Sequence, residues 1–86
     1  MDRDKILYAD DDELMIKLAR LYFSKDLPEY TTEFFEDGAE LADRLEKDVG
    51  DVAVVVIDNE MPRKNGSEII REYARRSGFE KIPFFF

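Results

Sequence analysis

Two apolar runs in this chain each stop on aspartate. Ile6-Leu7-Tyr8-Ala9 leads into Asp10, Asp11 and Asp12, and Val52-Ala53-Val54-Val55-Val56-Ile57 leads into Asp58. If the two runs are adjacent parallel strands, about 4.8 Å apart, then Asp10, Asp11 and Asp58 gather at the carboxyl edge of one sheet, where open α/β sheets bind ligands. Two unit charges about 4 Å apart cost roughly 4 kcal/mol at an effective dielectric near 20. That is a large share of the ~4–13 kcal/mol that holds a domain of this size together. A hard divalent cation with oxygen ligands relieves the repulsion, and Mg2+ suits a site to which only a few carboxylates contribute. Asp11 or Asp12 can also cap a following helix, with Glu13 favourable near its positive end. Capping does not account for Asp58, which has no helix to open until the region of Gly66.

The elements that must position these acids follow from periodicity and punctuation. Strands are predicted near 5–9, 30–35, 52–58 and 82–86, and helices near 12–25, 38–48 and 66–77. Alternating β and α elements imply a parallel sheet with right-handed crossovers, an α/β fold. Leu27-Pro28 closes the first helix, because proline cannot continue a helix interior. Asp37 with Glu40 reads as a variant capping box, with Gly38 easing the turn, and Ser77-Gly78 ends the third helix. At 100° per residue, Ile69, Ile70, Tyr73 and Ala74 span about 140° of the third helix, enough for one neighbour. On the first helix the apolar residues between Leu14 and Phe23 span roughly 220° and call for two.

Composition narrows the classes. The 86 residues make one domain, residues 1–86, expected to bury only a little over ~60% of its unfolded surface. Hydrophobic residues at 44% supply a core, which argues against disorder despite the 40% that are charged. Thirteen basic residues against 21 acidic ones give a net charge of -8, the wrong sign for nucleic acid. Arg71, Arg75 and Arg76 alternate with Glu68, Glu72 and Glu80, as on a solvated helix face. There is no cysteine and no histidine, so disulfides, thiolate zinc sites, Ser-His-Asp or Cys-His catalysis and a phosphorylatable histidine are all excluded. Met1 to Lys5 lack the basic start and apolar stretch of a signal peptide, and no run approaches the ~18 apolar residues of a membrane span. A cytoplasmic location is expected.

The segment Asp58-Asn59-Glu60-Met61-Pro62-Arg63-Lys64-Asn65-Gly66 resembles the Asp-x-x-Met-Pro-x-x-x-Gly motif of response-regulator receiver domains, the family of the chemotaxis protein CheY. Lys5 to Asp12 resembles that family's first strand and acidic pair. Glu36 to Leu41 is similar to the start of its second helix, and Ile82 to Phe86 to its fourth strand. The resemblance implies a CheY-like, flavodoxin-like sheet of order 2-1-3-4-5 and a phosphorelay function in two-component signalling. By that likeness Asp58 is the phosphoryl acceptor, receiving phosphate from a sensor histidine kinase or phosphotransfer protein. Asp10, Asp11 and Asp58 hold Mg2+ together with the backbone carbonyl of Glu60. Enzymatic activity is then at most self-phosphorylation and dephosphorylation of an aspartate, not conventional turnover. Pro62 and Gly66 shape the loop, by a fixed φ in one case and by positive φ or close approach in the other.

The sequence departs from the family after its fourth strand, where the hydroxyl residue, the lysine, the fifth strand and the last helices have no counterpart. A truncated receiver is expected to accept phosphate poorly. Lys81 precedes the fourth strand and so stands at the wrong edge, while Arg63 and Lys64 lie in the loop after Asp58, from which they could reach the site, a reading that is not favoured. Self-association is expected through the helix from Leu14 to Phe23 and the edge from Phe84 to Phe86, the alternative being that these residues are a piece of a longer chain. Two other functions compete: a non-catalytic module that dimerises or sequesters a kinase, and a phosphatase of the haloacid dehalogenase type, prompted by the Asp-x-Asp of Asp10 and Asp12. The short chain and the Met61-Pro62 loop argue against the phosphatase.

Overall fold

The computed structural model describes residues 3–58, 61 and 64–85. The elements run β1 (Lys5–Ala9), α1 (Glu13–Asp26), β2 (Thr31–Phe35), α2 (Gly38–Leu45), β3 (Val52–Ile57), α3 (Gly66–Tyr73) and β4 (Phe84–Phe85). The four strands form one parallel sheet of order β2-β1-β3-β4. In this order β1 lies between β2 and β3, at the point where successive connections diverge and ligands of doubly wound sheets bind.

Alternation along the strands divides the interior into two unequal layers. Leu7, Ala9, Val55 and Ile57 face α2 and α3 and pack with Leu41, Leu45, Ile69, Tyr73 and Phe79 in the main core. On the other face Tyr8 meets Phe23 of α1 and Phe34 of β2, and Ile16 is the one buried residue of α1. That second layer is thin. Leu14, Leu18 and Leu21 remain 62%, 50% and 68% exposed, as does Phe85 at 59%. The wide apolar arc of α1 therefore meets one neighbour and leaves the rest of its surface bare.

Three boundaries differ from expectation. The second helix ends at Leu45, not near 48, because the chain tightens into shorter turns, Glu46 N–H to Asp43 C=O and Lys47 N–H to Arg44 C=O, and Val49 turns into the core. The third ends at Tyr73, not at 77. Arg76 N–H bonds Tyr73 C=O and Phe79 N–H bonds Arg76 C=O, a tight path that brings buried Phe79 onto the Tyr73 ring. Gly78, with φ of 95°, belongs to this path and does not cap the helix. The fourth strand is restricted to Phe84–Phe85, its pairing opened by Val55 N–H donating to Pro83 C=O. Phe86 lies outside the described residues.

The capping chemistry also differs in detail. Asp37 caps α2 by accepting from Glu40 N–H, but Glu40 reaches back to Glu36 N–H, so the box is not reciprocal. Gly38 is required for packing: a Cβ there would overlap the backbone carbonyl of Lys64. The full capping box belongs to α3, where Asn65 accepts from Glu68 N–H and Glu68 accepts from Asn65 N–H.

Candidate functional site

The backbone ladder carries the acids to one place. Asp10 N–H donates to Phe35 C=O, and Asp58 N–H donates to Ala9 C=O at 2.8 Å, so pairing continues one residue past β1 and β3. Ala9 is in register with Ile57. Asp10 and Asp58 consequently leave neighbouring strands side by side, with Asp11 next along the chain. One carboxylate oxygen from each of Asp10, Asp11 and Asp58 lies within 4.8 Å of the other two.

Their environments differ. Asp10 is buried, 8% exposed, while Asp11 is exposed and Asp58 half-buried. Asp10 Oδ1 accepts from Asp12 N–H at 3.0 Å, and Oδ2 accepts from the Tyr8 hydroxyl at 3.2 Å. Burial, followed by the charge and hydrogen bond of Asp10, pushes the Tyr8 phenol up to about 12, with Asp58 and Asp12 adding to the effect. Tyr8 therefore stays protonated, a donor, at neutral pH. Asp12 stands apart from the cluster as the N-cap of α1, accepting from Leu14 N–H at 2.9 Å. A cavity of about 290 Å³ opens beside the acids, lined by Tyr8, Asp10, Val56, Ile57, Asp58 and Phe85.

A family model of the response regulator receiver domain matches residues 6–86. This chain belongs to that family. The match spans both acidic segments, the loop after Asp58 and β4, and the receiver fold agrees with the parallel sheet and its alternating helices. Comparison with curated proteins and with solved structures gave no match. Receiver domains generally hold Mg2+ at an acidic pocket, and the aspartate cluster of this receiver is of that kind. The donor set fits the ion: three hard carboxylates in reach of a common point, with room at their side for water and phosphate oxygens.

Of the expected site residues, the receiver brings Asp10, Asp11 and Asp58 together. Glu60, Pro62 and Arg63 lie outside the described residues. Lys64 turns to α3, its Nζ 2.6 Å from Glu72 Oε1, and this carboxylate raises the lysine's pKa. Met61 is buried in the main core. Gly66 opens α3 in helical conformation, and the one described glycine with positive φ is Gly78. Sequence reasoning overlooked Tyr8 and Phe85 as neighbours of the acids. A signal for Tyr8 existed, since it precedes Asp10 by two residues and so shares its side of the strand.

Among the described residues no helix is long and apolar enough to cross a membrane.

Proposed function

We propose that this receiver accepts a phosphoryl group at Asp58 in a Mg2+-dependent step of a two-component phosphorelay. The observation that carries the reading is the convergence of the Asp10, Asp11 and Asp58 carboxylates within 4.8 Å. A carboxylate oxygen of Asp58 attacks the phosphorus of a phosphohistidine on a sensor kinase or phosphotransfer protein. The P–N bond breaks, its electron pair returns to the imidazole nitrogen, and an acyl phosphate forms. Asp10 and Asp11 would hold the ion with Asp58 and the carbonyl of Glu60. An ion held there would supply screening of the charge between the carboxylate and the phosphoryl oxygens. Residues 1–86 act in this reading as one receiver unit, in the cytoplasm, undergoing phosphorylation and dephosphorylation and not conventional turnover.

The partner surface extends the proposal. The exposed row of Leu14, Leu18 and Leu21 on α1, with Phe85 on the open edge of the sheet, supports contact with a second copy of the chain. Such apolar surface favours burial, and an open strand edge is a template for pairing.

Intact mass after incubation with acetyl phosphate and Mg2+ tests the chemistry. Wild type is expected to gain one phosphoryl group, and Asp58→Asn none. A wild-type protein that gains nothing would overturn the assignment and leave only a binding role.

A further inference from the structure

We propose that Tyr8 is the positioning residue of the acid site, its hydroxyl holding the Asp10 carboxylate in the orientation that binds Mg2+. The inference rests on the reading of Asp10, Asp11 and Asp58 as the cation site.

The argument begins with what holds Asp10. It is the buried member of the cluster, so its orientation is set by protein groups and not by bulk water. Two donors reach opposite ends of the carboxylate: the Asp12 N–H at 3.0 Å on Oδ1 and the Tyr8 O–H, in a longer contact of 3.2 Å, on Oδ2. A carboxylate oxygen accepts more than one contact, so both oxygens keep capacity for a metal ion while the plane of the group is fixed. The Asp12 amide is supplied by the backbone at the start of α1 and is present whatever the side chains are. The phenol is supplied by the side chain at position 8.

Tyr8 is half-buried, with a ring neighbour on each side. Its ring lies edge-on to Phe23, with centroids 6.1 Å apart, and is tilted against Phe34 at 5.9 Å. β1 is paired on both sides, to β2 and to β3. These contacts orient the ring, and the proposed role is that its hydroxyl passes this orientation on to Asp10. Partners that orient metal ligands typically matter to affinity by about 10–100-fold. Tyr8 also lines the cavity beside Asp10 and Asp58.

Mg2+ titration by calorimetry of wild type, Tyr8→Phe and Asp58→Asn tests the assignment. Tyr8→Phe keeps the ring contacts with Phe23 and Phe34 and removes only the hydroxyl. It is expected to weaken Mg2+ binding about tenfold while its metal-free circular dichroism matches wild type. A second readout needs no variant at position 8. In wild type carrying Cζ-labelled tyrosine, with Tyr22, Tyr30 and Tyr73 assigned by phenylalanine replacement, the Tyr8 resonance is expected to move with Mg2+ occupancy. Unchanged affinity in Tyr8→Phe, or a Tyr8 resonance indifferent to the ion, overturns the role of Tyr8 while the cation site stands. No saturable binding by wild type overturns both, and equal binding by Asp58→Asn removes Asp58 from the site.

Discussion

At the scale of single residues, the distinctive feature is an uneven distribution of support among three acids. Asp10 is gripped by two donors, Asp11 is open to solvent and Asp58 stands between them in exposure. Mutual repulsion makes this cluster costly without a cation, so neutralising one member should stabilise the metal-free fold. Asp58→Asn and Asp11→Asn are each expected to raise the metal-free Tm, by about 4–8 °C for every ~1 kcal/mol of repulsion removed. Both should shrink the further rise that Mg2+ produces by mass action. Thermal melts of the three proteins with and without the ion check this, and identical melts throughout would sink the shared site. The acids themselves were legible in the sequence because each terminates an apolar run, and a parallel register must then align them. Tyr8 was less legible, since a tyrosine within an apolar run reads as core. Its hydroxyl gains meaning only from the alternation that places it on the side of Asp10.

At the scale of elements, the strands β1 and β3 were the most readable, because buried parallel strands are near-continuous apolar runs. Helix ends were less so. The third helix stops at Tyr73 because the next residues serve a cross-helix clamp: Tyr73 Oη donates to Glu46 Oε2 at 2.6 Å, and Arg76 Nη1 bonds both oxygens of the same carboxylate. Arg76 also stacks over the Tyr73 ring at 4.3 Å. The arginine run that looked like a solvated face thus supplies part of the α2–α3 contact, a use that depends on spacing across 30 residues and leaves no local signal. The clamp makes stability depend on pH. Burial and the Glu46 hydrogen bond push the Tyr73 phenol up to about 12, above its value near 10 in an unfolded chain. The folded state therefore keeps a proton that the unfolded state loses, and stability falls as pH rises from about 10 to about 12. Chemical denaturation across that range should show the decline in wild type and a shallower one in Tyr73→Phe. An equal slope in both would remove Tyr73 as its source, since Tyr8 shifts in the same direction and is present in each.

At the scale of the whole molecule, the two faces of the sheet are unequally covered. One carries the main core under α2 and α3, while the other is closed over β1 and β2 by the single helix α1. Sedimentation at micromolar concentrations is expected to show association, and Leu18→Glu with Leu21→Glu, both on exposed positions, should return the protein to monomer. A wild type that remains monomeric throughout the range would count against the proposed contact. The close approach at Gly38 has a different reach. With no side chain at position 38, the backbone carbonyl of Lys64 lies directly against the first turn of α2, so any larger residue there must drive the two backbones apart.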